Sequence, residues 1–133
     1  MQDRDLKELE ALQKRIYAKL NETMSLSREL GEAVERQDQI SVQMLLASRQ
    51  KPILELQELY ATMNLKRCDL TGADEEDFDR LTSGGEARTE AEEAVVQQRA
   101  MNQRLLERLV EVDRGINDAL CKERSFYTTG RRS

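Results

Sequence analysis

The sequence predicts an all-α fold: an elongated antiparallel helical bundle of three principal helices, the second kinked or interrupted at Pro52. Three observations lead there. Apolar residues recur at intervals of three and four over long segments, which is the period of a stripe on an α-helix. The chain is 38% hydrophobic and 35% charged but only 4% aromatic, with six Gly, one Pro and no Trp. That mixture suits amphipathic helices, not the β-branched and aromatic runs of a sandwich or α/β domain. Finally, one stripe cannot hide itself alone, and three segments carry stripes of similar length. With 133 residues the chain is one helical-bundle domain, large enough for a core.

The first helix is expected from about Asp3 to Arg36. Leu6, Leu9, Leu12, Ile16, Leu20, Met24 or Thr23, Leu26 or Ser27, Leu30 and Val34 trace one drifting face, and Asp3 and Asp5 suit the positive end of the helix dipole. The drift fits a 3.6 period better than strict heptads. Gly31 is placed to weaken or bend the end. Asp38 is the N-cap candidate for the next helix. In the second segment Ile40 or Val42, Leu45, Leu46, Ile53, Leu56, Leu59 or Tyr60, and Met63 are the apolar positions. Pro52 lacks an N–H and crowds the preceding turn, which favours a short helix over 40–50 followed by one over 52–68. A continuous bent helix is the alternative.

Residues 69–85 form an acidic loop, with Asp74, Glu75, Glu76, Asp77 and Asp79 around Phe78 and a flexible Ser83-Gly84-Gly85. Phe78 and Leu81, three apart, can pin a one- or two-turn helix inside it. The last helix is expected from about Glu86 to Arg124. Its first turns are weakly apolar, and Asn102 on the stripe would fix register at some cost in stability. Its strongest stretch, Leu105, Leu109, Val112, Ile116 and Ala119 or Leu120, reads as the element around which the chain is organised. Gly115 marks either a close helix approach or a tolerated weak spot. A short tail, 125–133, holds Phe126 and Tyr127 and ends in Arg131 and Arg132.

Several classes of chemistry are poorly served. There is no histidine, so the commonest general base and zinc ligand are missing and no Ser-His-Asp or Cys-His arrangement can form. No phosphate-binding glycine loop occurs. The acidic run lacks the donor order, internal Gly and closing Glu of a calcium loop. The expectation is a protein that is not an enzyme, with no catalytic residue, no metal and no cofactor. A formal charge of −5 without a basic stripe disfavours nucleic acid. Cys68 and Cys121 are too few for a disulfide framework and are expected to be unpaired. The opening MQDRDLKELE has neither a basic nor an apolar leader region, and no run is long enough to span a bilayer, so a cytoplasmic protein without membrane insertion is expected.

What remains is surface. Met24, Met44, Met63 and Met101 lie on or near apolar positions, and methionine adapts to varied helical partners, although core filling is the commoner use. Exposed aromatics such as Tyr127 are costly unless folded back or bound.

The pattern of a long first helix, the polar break at Gln37-Asp38, Leu45-Leu46, Arg49 or Lys51, then Ile53 to Leu59, and a long last helix giving way to Phe126-Tyr127-Thr128-Thr129-Gly130 resembles the flagellar export chaperones of the FlgN type, and more loosely the FliT type. The resemblance implies a cytoplasmic chaperone that keeps hook-associated proteins unassembled and brings them to the type III export gate. It further implies that client helices lie along Leu105, Leu109, Val112, Ile116 and Leu120, and that Tyr127 contacts the export-gate component. Pro52 and the acidic loop depart from the family pattern. The alternative is a homodimeric structural or adaptor bundle without chaperone activity.

Overall fold

The computed structural model describes the backbone of residues 1–130 and the side chains of residues 1–122. It is an elongated all-α bundle of four helices: α1 (Asp3–Glu35), α2 (Gln39–Cys68), α3 (Ala73–Thr82) and α4 (Glu90–Gly130). The first turn of α1 carries Asp3 and Asp5. It ends at a tight reversal in which Gln37 adopts φ 58° and the Asp38 N–H bonds back to the Ala33 carbonyl at 3.0 Å. Asp38 then caps α2: its carboxylate accepts from the Ser41 N–H at 3.1 Å and from the Ser41 hydroxyl at 2.6 Å. Those two bonds hold its pKa below the ordinary carboxylate value.

α2 differs from the expected pair of helices. It runs uninterrupted from Gln39 to Cys68 with Pro52 inside it. Proline removes one backbone bond there, but Pro52 is buried on the inner face. Val42 and Leu45 before it pack on one apolar cluster of the bundle, and Leu56 and Leu59 after it belong to the next, on the same side of α2. Burial on both flanks outweighs the lost bond and keeps the two halves one element.

The segment expected as an acidic loop contains α3, held as the Phe78 and Leu81 spacing predicts: both are buried against Leu6, Leu9 and Val95. Arg67 at the end of α2 bonds Asp79 at 2.7 Å and Glu75 at 3.0 Å, which raises the pKa of the guanidinium and depresses that of Asp79. The chain leaves α3 through Gly84, at φ 92°, and Gly85, where any Cβ would stand 2.8 Å from the Arg80 carbonyl oxygen. Only glycines fit that exit. α4 begins at Glu90 instead of Glu86, because Thr89 and Glu92 form a capping pair. The Glu92 N–H bonds Thr89 Oγ1 at 3.1 Å, and Glu92 Oε1 accepts from the Arg88 N–H at 2.9 Å.

The organising helix is α1, not the Leu105–Leu120 stretch. α1 packs along both α2 and α4, which meet each other at few points. α2 runs antiparallel to α1, and α4 runs parallel to it. Three apolar clusters succeed one another along α1: Leu6 and Leu9 with α3 and Val95; Ile16, Leu20 and Met24 with Leu56, Leu59, Leu105 and Leu109; and Leu30 and Val34 with Ile116. Polar residues separate them. Gln13 and Asn102 lie between the first two, with the Asn102 amide donating to the Gln13 backbone carbonyl at 2.8 Å. Thr23 and Ser27 lie toward the third. Arg49 reaches across from α2 to Asp113 on α4 at 3.1 Å.

Candidate partner-binding surfaces

The residues predicted to hold a client fall mostly inside the bundle. Leu105, Leu109 and Ile116 are buried, and Val112 and Leu120 are half-buried against the same clusters. The ridge is therefore covered largely by α1 and α2 of its own chain. Tyr127 lies outside the residues whose side chains are described. Gly115 meets nothing within 4 Å of a built Cβ, so the weak-spot reading of that glycine fits and close helix approach does not. The methionines divide: Met24 is core and Met63 half-buried, while Met44 and Met101 are exposed. Cys68 and Cys121 are free and exposed.

Two surfaces remain. The first is a groove between α1 and α4, about 360 Å³ in volume. Met24 and Leu105, both nearly buried, lie at its base beside Asn21 and Ser25, with Tyr17 and Met101 at its shoulders and Arg28, Arg104 and Arg108 at its rim, so its lining is mainly polar. Helical spacing makes this rim: Arg104 and Arg108 are one turn apart on α4 and flank the buried stripe. None of the three arginines forms an ion pair among the described residues, which is the commoner state there; only the arginines at 49, 67 and 80 are paired among them. Three positive charges, unpaired among the described residues, thus stand around a small apolar base in a chain of net negative charge. Of the five predicted client contacts, only Leu105 reaches this groove.

The second surface is the outer face of α2. Ile40, Met44, Leu54 and Leu65 are 75%, 65%, 54% and 68% exposed, and they fall on one line with Ala47 and Ala61, also exposed. The inner line, through Val42, Leu45, Pro52, Leu56, Leu59 and Met63, lies on the opposite side of the helix. α2 therefore carries two apolar stripes back to back, each stepping by three and four. Read as a single series, Ile40 and Val42 compete for one position and the outer stripe is lost. Counting each stripe separately finds it. The arginine rim is equally legible as an i, i+4 pair, but its third member sits on another helix.

No helix among the described residues is long and apolar enough to cross a membrane, and no group of three or more potential metal ligands stands together among them. No family model, curated protein or solved structure matches the chain.

Proposed function

We propose that this protein is a helix-capturing module: an acidic amphipathic segment of a protein partner docks in the groove between α1 and α4. The observation that supports this is the rim of Arg28, Arg104 and Arg108, unpaired among the described residues, around the small apolar base of Met24 and Leu105. An incoming helix with apolar residues at i, i+3 and i+4 and carboxylates beside them would fill both requirements. The role fits an export chaperone of the type the sequence resembles, acting in the cytoplasm on hook-associated flagellar proteins, with Tyr127 as the contact to the export gate. The client-binding line is then shifted from the whole Leu105–Leu120 ridge to its exposed flank. Leu109 shares the core cluster of Met24 and Leu105 and Val112 packs against it, while Ile116 and Leu120 belong to the next cluster along α1, so charge substitutions at any of these positions would act on the core. Such a groove, small and partly polar, suits an affinity of roughly micromolar order once ordering of the partner is subtracted.

The test is calorimetric titration with C-terminal helical segments of hook-associated proteins and with a synthetic acidic amphipathic helix. R104E/R108E alters only exposed side chains, and is expected to weaken binding by at least roughly tenfold and to reduce its salt dependence. Equal affinity in the folded double variant, or no binding of any acidic helix by the parent chain, would overturn the proposal.

A further inference from the structure

The outer stripe of α2 is unexplained by capture in the α1/α4 groove. Among the described residues it is the longest line of exposed apolar side chains, and it lies on the side of α2 facing away from the core. We propose that it is the seam of an antiparallel homodimer, in which α2 of one copy lies along α2 of a second.

Three features select this occupant. The stripe Ile40, Met44, Ala47, Leu54, Ala61 and Leu65 is completed at the two vacant steps by Lys51 and Glu58, so that all eight positions keep strict heptad spacing. Neither Lys51 nor Glu58 makes an ion pair among the described residues, although most charges around α2 do. In a parallel pair, Lys51 would face Lys51 and Glu58 would face Glu58. In an antiparallel pair centred between Lys51 and Leu54, Ile40 meets Leu65 of the partner subunit, Met44 meets Ala61 of the partner subunit, and Glu58 faces Ala47 of the partner subunit. Each Lys51 then lies within about one helical turn of both Lys51 of the partner subunit and Glu58 of the partner subunit, so the stacking of Lys on Lys and Glu on Glu that disfavours the parallel orientation is partly offset in the antiparallel one. Large residues then meet small ones at the Met44 and Ala61 layer, as interdigitating helices require.

The flanks of the stripe are also unusually neutral for a chain that is 35% charged. One flank is Gln43, Gln50, Gln57 and Asn64, and the other carries a single charge, Glu55. That carboxylate is already held by Lys19 at 2.6 Å. Self-pairing therefore brings no run of like charges together. At the far end, Leu65 forms one wall of a groove of about 510 Å³ against Ala11 and Leu12 of α1. The protruding Ile40 of the second copy would enter there, and the two-fold axis repeats this contact at the other end. The outer stripe is separate from the arginine-rimmed groove, so the dimer leaves both grooves open.

Sedimentation equilibrium of the full chain across micromolar concentrations tests this. A reversible dimer is expected, with M44E/L65E raising the dissociation constant by roughly 100-fold or more at unchanged helicity, and R104E/R108E leaving it unaltered. Orientation is read by oxidative cross-linking in a C68S/C121S background. L54C, close to the two-fold axis, should cross-link to its counterpart, and L65C should not, because its copies would lie roughly 38 Å apart. A monomer at every concentration, a dimer indifferent to M44E/L65E, or efficient cross-linking through L65C would each overturn the antiparallel seam. None of these outcomes bears on peptide capture by the α1/α4 groove.

Discussion

α1 and α2 are nearly equal in length, 33 and 30 residues, and both are rich in Leu, Ile and Met. Yet α1 buries eleven positions and α2 only Pro52, Leu56 and Leu59. The difference lies in arrangement. α1 gathers its apolar residues on one broad face that two helices can cover at once. α2 divides its own between opposite faces, and only the inner one has a helix of this chain against it. Apolar content is therefore a poor guide to which helix is central. A helix with two stripes gives one to its own fold and leaves the other exposed.

The largest effects should track that division. Leu20→Ala, in the middle cluster of α1, is expected to lower stability by about 2–5 kcal/mol through lost contact and the cavity left behind. Leu54→Ala or Leu65→Ala on the outer face of α2 should change it by less than about 0.5 kcal/mol at concentrations where the chain is monomeric. Urea unfolding measures both. An outer-face substitution as costly as Leu20→Ala would erase the distinction between the two helices.

A smaller effect is expected where α1 itself breaks the apolar rule. Gln13 is 2% exposed and its side-chain carbonyl oxygen has no hydrogen-bond partner in the protein. Its neighbour Asn102 bonds the backbone carbonyl of the same residue and accepts from Gln98 at 3.1 Å. Gln13→Met keeps the shape and removes the unmet acceptor, so it should raise stability by about 1 kcal/mol. Asn102→Ala should lower it by about 1–2 kcal/mol, since the Gln98 amide then loses its acceptor. Opposite signs from two adjacent polar residues would show that Asn102, and not Gln13, ties α4 to α1 at this level.

These residues also explain how much of the fold the sequence discloses. The all-α class, the extent of α1 and the pinning of α3 by Phe78 and Leu81 come from spacing alone. The central role of α1 does not, because its stripe includes Gln13, Thr23 and Ser27. Those are polar by composition but buried by position. Leu105 to Leu120 looks central because it is unbroken, yet an unbroken stripe also describes a helix that packs along one partner, α1, and meets α2 only at the edges of the same clusters. The continuity of α2 through Pro52 depends on burial from both sides, which no local rule contains. The start of α4 is legible in Thr89-x-x-Glu92, a signal that the nearby glycines obscure. The α1/α4 groove combines side chains more than seventy positions apart, and only packing brings them together.

Helix propensity supplies a further, smaller contrast. Gly115 on α4 is exposed and faces open space, whereas Gly31 on α1 has Ile116 Cγ1 at 3.8 Å from a built Cβ. Gly115→Ala should therefore stabilise the fold by about 0.5–1 kcal/mol through backbone entropy alone. A thermal melt in which it failed to do so would point to a constraint at that position beyond the helix itself.

The least effect should come from acid, and it should separate the same two helices. Having little buried apolar surface, α2 is tied to its neighbours by exposed charges along its length. Lys66 holds Glu8 of α1 and depresses that carboxyl, Lys19 does the same to Glu55, and Arg67 to Asp79. A carboxylate whose folded pKa is depressed binds its proton more readily in the unfolded chain. Its contribution is thus complete above the ordinary values, 3.8 for Asp and 4.5 for Glu, and is lost as the pH falls through the lower folded values. Stability should be level near neutrality and decline on acidification below about pH 4.5. Hydrogen exchange should show the amides of α2 losing protection before those of α1. Because these pairs face solvent, added salt should shrink the decline, and Asp79→Asn should remove part of it. An acid response spread evenly over both helices would mean that α2 is held by its inner stripe as firmly as α1 is by its own, and that its charged ties contribute nothing.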